Sequence, residues 1–263
     1  MEFTRERTTN GVTERLFDLE VAGERVPAVI WTPEDARGPR PLVLMGHGGS
    51  QHKKVGSLAH RARHYARRLG YATLAIDAPG HGDRISREEA VRLAEEIGAR
   101  IRERRSIPAD LARTMEARTA KAVPEWRAAL DAAQALAFVG EGKVGYWGVS
   151  MGTAIGVPFV AAEPRIGAAV FGLAGLRPGA ATMEAAARAI TIPVQFVFQW
   201  DDEVASREAG VALFEAFGSA EKTLHVNPGG HMEIPPFETE AWERFFRRHL
   251  GTADAAAALA AAQ

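Results

Sequence analysis

The sequence predicts an α/β fold in which a mostly parallel sheet carries helices on both faces. Short apolar runs alternate with amphipathic stretches along most of the 263 residues, an alternation typical of strand–helix–strand units. Several apolar runs end directly in glycine-rich or acidic loops, as residues 42–45 do at "GHGGS". Because ligands bind beyond the carboxyl ends of parallel strands, we expect the functional residues in these loops.

The individual elements follow from local patterns. Residues 13–33 interleave β-branched and aromatic residues with charges around a turn at 22–24, which predicts an opening hairpin. Residues 42–45 are apolar throughout, as in a central strand, and the amphipathic residues 58–69 predict a helix that Gly70 ends. A sheet of about eight strands results. The remaining strands are predicted in "YATLAIDAPGHGDR", "KVGYWG", "IGAAVFGLAG", "IPVQFVFQW" and "KTLHVNPGG", with helices over residues 125–138 and 237–250.

A highly charged helical stretch, residues 85–123, interrupts this alternation and indicates an insertion between sheet elements. It is either a solvated helix pair or a short cap over the site, in which Ile107, Leu111 and Met115 would face an acyl group. The alanine-rich tail, residues 251–263, indicates no function. We expect a single domain over residues 1–263.

Composition excludes several functional classes. A formal net charge of -1 gives no long-range field that would attract nucleic acid or acidic lipid. The absence of cysteine excludes disulfides, thiolate nucleophiles and thiolate metal sites. The polar amino terminus and the lack of any run of about 18 apolar residues predict neither a signal peptide nor a membrane span. We therefore expect a cytoplasmic monomer or homodimer that acts on a small molecule without a cofactor or metal.

Ser150 is the candidate nucleophile because it lies in a G-x-S-x-G motif with Gly148 and Gly152. In this motif the serine occupies a strained turn between a strand and a helix, where glycine neighbours leave room. The apolar residues 144–147 precede the motif and the small-residue segment 151–163 follows it, so the required strand and helix are both predicted. A serine hydroxyl is a poor nucleophile at neutral pH and needs a base within hydrogen-bond reach.

That base and its partner are expected at the ends of two later strands. One predicted strand runs directly into Asp201 and Asp202, and the last strand is followed by His231. The chain order is thus serine, acid, histidine, one of the orders in which a catalytic triad occurs. The residues themselves leave both aspartates open as the acid.

Backbone amides are the expected oxyanion donors. The amide of the residue after the nucleophile, Met151, supplies one, and an amide within residues 48–50, with Gly49 preferred, supplies the second. The two histidines in the neighbouring glycine loops, His47 and His81, are expected to make loop hydrogen bonds rather than to transfer protons. His60 and His64 lie four residues apart without an adjacent carboxylate, which favours a solvated helix face over a metal site.

Together these segments resemble the α/β-hydrolase superfamily, and within it the dienelactone-hydrolase-like serine esterases, over roughly residues 42–250. The resemblance implies a triad of Ser150, His231 and an aspartate, and it selects Asp201, since the acid of this family usually precedes a valine by three positions. Dienelactone hydrolases themselves use cysteine, so their particular substrate is not implied. The motifs that carry the resemblance are "HGGS", "DAPGHGDR", "GVSMG", "QWDDEV" and "GGHMEIP".

We interpret the chain as a serine hydrolase that cleaves a carboxylic ester through an acyl-enzyme. Trp200 beside the acid and Met232 beside the base are expected to line the substrate pocket, with Leu111 and Met115 from the insertion. A thioesterase or an acyltransferase would share all of these residues. A peptidase, a peracid-forming side activity or a binding module without turnover are weaker alternatives.

Overall fold

A computed structural model describes residues 2–103, 109–177 and 179–251, except for the side chains of residues 109–113 and 115. The predicted roles of Ile107, of the Leu111 and Met115 side chains and of the tail beyond Gly251 lie outside this description. Within it, none of the helices is both long enough and apolar enough to span a bilayer.

Nine strands form a single sheet in the described part of the chain, and the predicted mostly parallel α/β architecture is confirmed. The spatial order is β1-β2-β3-β5-β4-β6-β7-β8-β9. The pairs β1–β2, β2–β3 and β3–β5 are antiparallel, and every pair from β5–β4 to β8–β9 is parallel. The strands are β1 (Arg5–Thr9), β2 (Val12–Val21), β3 (Glu24–Pro33), β4 (Leu42–Gly46), β5 (Ala72–Ile76), β6 (Val144–Val149), β7 (Ile166–Gly172), β8 (Val194–Gln199) and β9 (Lys222–Asn227).

Six of the seven α-helices in the described residues cover the two faces of this sheet. The helices α1 and α7 pack on one face, whereas α3, α4, α5 and α6 pack on the other, so that two apolar cores enclose the strands. The helices are α1 (Gly56–Leu69), α2 (Arg87–Arg102), α3 (Ala109–Gln134), α4 (Met151–Ala162), α5 (Ala181–Ala189), α6 (Arg207–Ala216) and α7 (Glu238–Leu250).

The opening hairpin and the first helix agree with prediction, including Gly70, which ends α1 in a left-handed conformation with φ 72°. The strand β1 was not predicted, because its five residues are polar and exposed and carry no apolar alternation. The antiparallel partner of β2 therefore makes the sheet one strand wider than expected.

The predicted boundary between the insertion and the helix at 125–138 is wrong. A single helix, α3, runs through Pro124 to Gln134. The apolar residues on either side of the proline, Ala122 and Trp126, are both buried against the sheet, so tertiary packing keeps the helix continuous where proline alone would favour an end. In contrast, α2 buries none of its residues fully.

Candidate active site

Ser150 lies in a strained turn between β6 and α4. Its φ of 56° and ψ of -119° are unusual for a residue with a side chain. The Ser150 amide donates to the Gly172 carbonyl of β7 at 2.8 Å, which anchors the turn to the neighbouring strand. The predicted strand, turn and helix are therefore present, and the turn presents the serine hydroxyl at the carboxyl edge of the sheet.

The glycines of the motif allow backbone segments to pass very close to each other. A Cβ atom on Gly148 would lie 2.7 Å from the carbonyl oxygen of Gly152, and one on Gly152 would lie 2.6 Å from that of Gly46 in β4. Thr153 holds the same turn, since its hydroxyl lies 2.6 Å from the Gly172 carbonyl oxygen and accepts from the Gly172 amide at 2.8 Å. Nothing in the sequence pattern indicated this role for Thr153.

His231 connects Ser150 to an aspartate. Its Nε2 atom lies 2.9 Å from Ser150 Oγ, and its Nδ1 atom lies 2.9 Å and 3.0 Å from the two carboxylate oxygens of Asp202. The side chains of His231 and Asp202 are 5% and 0% exposed. An acidic acceptor at Nδ1 assigns the proton to that nitrogen and leaves the Nε2 lone pair facing the serine hydroxyl.

The choice of Asp201 as the acid is wrong, because Asp202 is the aspartate that contacts His231. The strand β8 ends at Gln199, and the Asp202 amide donates to the Gln199 carbonyl at 3.2 Å, so residues 199–202 form a turn directly after the strand. Asp201 lies inside this turn and points outward with 54% exposure, 3.5 Å from Arg207, whereas Asp202 closes the turn and faces His231. Asp201 does precede Val204 by three positions, but in this chain that spacing does not identify the aspartate that contacts the histidine.

The Asp202 carboxylate is fixed by its own loop. Its Oδ1 atom accepts from the amides of Val204 at 2.8 Å and Ala205 at 2.9 Å, so the acid cannot rotate away from the histidine without losing these bonds. Glu203 supports the base in a similar way, because its Oε2 atom accepts from the His231 amide at 3.0 Å. Sequence reasoning missed Glu203, which is one of several acidic residues in an acidic loop.

The two predicted oxyanion donors start from neighbouring strands. Gly46 and Gly148 pair at the ends of the parallel strands β4 and β6, so the segments that carry Gly49 and Met151 begin side by side. The Gly49 amide donates to no other residue in the described ranges. Met151 is the first residue of α4, where an amide has no partner within the helix. That both amides bind an oxyanion stays a prediction.

His47 makes loop hydrogen bonds, as predicted. Its Nδ1 atom lies 2.9 Å from the Gly48 carbonyl oxygen, and its Nε2 atom accepts from the Ala78 amide at 3.0 Å. Burial lowers the pKa of His47 to about 4, so the ring is neutral at pH 7. Gln51 completes the arrangement, since its Oε1 atom accepts from the Gly48 amide at 3.1 Å. The amide and the carbonyl of Gly48, the residue before Gly49, are thus both hydrogen-bonded.

The expectation that His64 lies on a solvated helix face is wrong. Its Nε2 atom lies 2.8 Å from Glu243 on α7, and the histidine is 26% exposed. This contact joins α1 to α7. Glu243 lies 179 residues after His64 in the chain, so a search for carboxylates near the histidine in sequence does not find it.

Trp200 and Met232 are 49% and 68% exposed, in the loops that carry the acid and the base. Arg207 holds the indole of Trp200, because its guanidinium lies 4.3 Å from the ring centroid and its Nε atom donates to the Trp200 carbonyl at 2.7 Å. The assignment of both residues to the substrate pocket stays a prediction.

Comparisons with known proteins show that nearly the whole chain is similar to esterases. The chain is 35% identical to a cold-adapted esterase from an Arctic intertidal metagenomic library over 95% of this chain and 100% of that one, with a TM-score of 0.78. An acetyl xylan esterase from Paenibacillus sp. R4 is 15% identical over 95% of this chain and 88% of its own, with a TM-score of 0.68. A dienelactone hydrolase from Anabaena variabilis is 20% identical over 92% and 100%, with a TM-score of 0.62. No family model and no curated sequence matches the chain.

The three likenesses carry different weight. The two at 15% and 20% identity show the fold alone, and they agree with the resemblance inferred from the sequence motifs. The likeness at 35% identity extends over nearly the whole of both chains.

Proposed function

The chain belongs to the esterases of the α/β-hydrolase fold, and from that premise we propose that it cleaves carboxylic esters through an acyl-enzyme on Ser150. The observation that carries the proposal is the continuous chain of short contacts from Ser150 Oγ through His231 to Asp202, at a strained turn. These three groups have the geometry that an activated serine requires.

The reaction begins when Ser150 Oγ attacks the ester carbonyl carbon and His231 Nε2 takes the hydroxyl proton. Asp202 keeps the proton on Nδ1 and stabilises the imidazolium that forms. As the ester C–O bond breaks, His231 gives its proton to the departing alcohol, and the acyl group stays on Ser150. Water then attacks the acyl-enzyme with His231 as the base, which releases the carboxylic acid and restores the serine hydroxyl.

Charge develops on the carbonyl oxygen in both steps, and we assign the amides of Met151 and Gly49 to it. Preorganised backbone donors of this kind contribute about 10²–10³-fold each to the rate. Support comes from the uncommitted amides described above and from the His47 and Gln51 contacts that fix the Gly48 peptide. The near-neutral net charge supports a small substrate of low charge, and we keep a cytoplasmic monomer or homodimer as part of the proposal.

A series of p-nitrophenyl esters, from acetate to octanoate, tests the proposal on the wild type and on Ser150→Ala. We expect Ser150→Ala to lose at least about 10³-fold in kcat/KM. Ser219→Ala is the matched control, because Ser219 lies in the loop between α6 and β9, bonded to Glu221. A fluorophosphonate should add one phosphonyl group to the wild type, on Ser150. Equal rates for wild type and Ser150→Ala would contradict the proposal, and acyl-CoA substrates assayed in parallel distinguish a thioesterase.

A further inference from the structure

Gln199 is the last residue of β8 and its side chain is buried between the loops that carry the acid and the base. Its carbonyl oxygen accepts from the Asp202 amide at 3.2 Å, so its backbone contacts the acid directly. A fully buried primary amide is costly unless its donors and acceptor are all bonded. The partners of this amide therefore indicate what holds it there.

The Gln199 amide nitrogen donates to both ends of the histidine loop. Its Nε2 atom lies 2.9 Å from the Glu233 carbonyl oxygen and 3.3 Å from that of Pro228. His231 lies between these two residues. One side chain thus closes the loop from beneath and uses both of its N–H groups to do so.

A buried network fixes the orientation of this amide. Asn227 Nδ2 donates to Gln199 Oε1 at 3.3 Å and to Glu238 Oε1 at 3.0 Å. The second oxygen of Glu238 lies 2.8 Å from His225 Nδ1. If the Gln199 amide were reversed, its oxygen would face the two loop carbonyls and its nitrogen would face the Asn227 amide. The network therefore allows a single orientation.

Other contacts of the loop are easier to replace. The Gly230 amide donates to Glu233, an exposed side chain, at 2.7 Å, so water can take over this bond if it is lost. The Gln199 amide is fully buried and bonds to the loop at two carbonyls, so its removal breaks a bond at each end of the loop at once. Glu203 holds the His231 amide alone, whereas Gln199 ties both ends of the loop to β8.

We propose that Gln199 is a positioning residue that sets the distance of His231 from Ser150 and Asp202, an inference that rests on the proposed function. Nε2 and Nδ1 of His231 must both stay within hydrogen-bond reach, and a shift of about 1 Å in such a group costs on the order of 10²-fold in rate. Since Gln199 does not touch the substrate, its loss changes kcat and leaves KM largely unaffected.

Gln199→Met tests the inference, because methionine has a similar length but neither donates nor accepts strongly. Gln195→Met is the matched control. Gln195 is buried on the same face of β8, four residues earlier, and its side chain contacts His225. Among the described residues, its side-chain hydrogen bonds are joined to Gln199 only through Glu238 and Asn227, and none of them goes to the loop. We expect Gln199→Met to lower kcat for p-nitrophenyl butyrate by at least about tenfold with KM within about twofold. Gln195→Met should lower the Tm by a similar amount and keep kcat within about twofold.

Two outcomes overturn the inference: an unchanged kcat in Gln199→Met, or the same loss of kcat in Gln195→Met. If Gln199→Met does not accumulate as folded protein, Gln199→Asn replaces it. The asparagine keeps an amide that is one methylene too short to span both carbonyls, so kcat should still fall, and an unchanged kcat again overturns the inference. Ser150→Ala distinguishes a failure of the proposed function from a failure of the role proposed for Gln199. An active Ser150→Ala contradicts the proposed function, whereas an inactive Ser150→Ala beside a fully active Gln199→Met contradicts the role of Gln199 alone.

Discussion

His231 Nδ1 lies 2.9 Å from Asp202 Oδ2, although the aspartate one position earlier is equally available by sequence. Asp202 is buried in its contact with the histidine, and Asp201 points to solvent beside Arg207. The two carboxylates, adjacent in the chain, thus form a matched pair for mutation.

Asp202→Asn should lower kcat by roughly 10³–10⁴-fold, because the amide cannot keep the His231 proton on Nδ1 or stabilise the imidazolium. Asp201→Asn should keep kcat within about twofold, since its ion pair is exposed. Steady-state kinetics with p-nitrophenyl butyrate measure both. A large loss in Asp201→Asn with a small one in Asp202→Asn would reverse the assignment.

Gly152→Ala should destabilise the protein by about 1–3 kcal/mol and lower activity, because its Cβ would lie 2.6 Å from the Gly46 carbonyl oxygen and force the Ser150 turn to move. Gly167→Ala is the control, since the nearest atom to its Cβ is 3.8 Å away. Urea unfolding and kcat measure the two effects. Wild-type stability and kcat in Gly152→Ala would contradict the prediction, because the turn would then accommodate a Cβ atom at this position.

Asp77→Asn should cost about 3 kcal/mol of stability, because it removes the charge that faces a buried lysine. The fully buried Asp77 carboxylate lies 2.7 Å from Lys53 Nζ and accepts from the Lys53 and Asp83 amides at 2.8 Å and 2.9 Å. The second acid on Lys53, Asp83, is 67% exposed, so Asp83→Asn should cost less than about 1 kcal/mol. Chemical denaturation compares the pair, and equal costs would contradict the prediction.

Stability should fall as the pH decreases from about 6.5 to about 4, in part through His47. Burial lowers the pKa of His47 from 6.5 to about 4 in the folded state, so within this window the unfolded chain binds a proton that the folded chain does not. The stabilisation that comes from keeping His47 neutral is fully present above pH 6.5, and at pH 4 its loss lowers the free energy of unfolding by at most ~3 kcal/mol.

His47→Gln tests this titration. The free energy of unfolding of His47→Gln should depend less steeply on pH between 6.5 and 4 than that of the wild type, although the variant is less stable at neutral pH. His60→Gln, on an exposed position of α1, should keep the wild-type slope. Identical slopes in all three proteins would assign the pH dependence to other groups.

Most of the central sheet could be predicted from the sequence because buried parallel strands are short apolar runs with sharp ends. The same signal located Ser150 and His231, each of which follows such a run. It failed for β1, whose pairing depends on the backbone of β2 rather than on its own polar side chains. It also failed for α3, where burial of Ala122 and Trp126 outweighs the local preference of Pro124.

By itself, the sequence determined the fold class, a candidate nucleophile, a candidate base and a candidate acid confined to two adjacent positions. The tertiary structure alone decided which aspartate contacts His231, because the turn after β8 and the amides of Val204 and Ala205 set the direction of the Asp202 side chain. It also decided which polar residues support the site. Gln199, Thr153 and Glu203 act through carbonyl and amide groups on other strands and loops, and no spacing along the chain records those contacts.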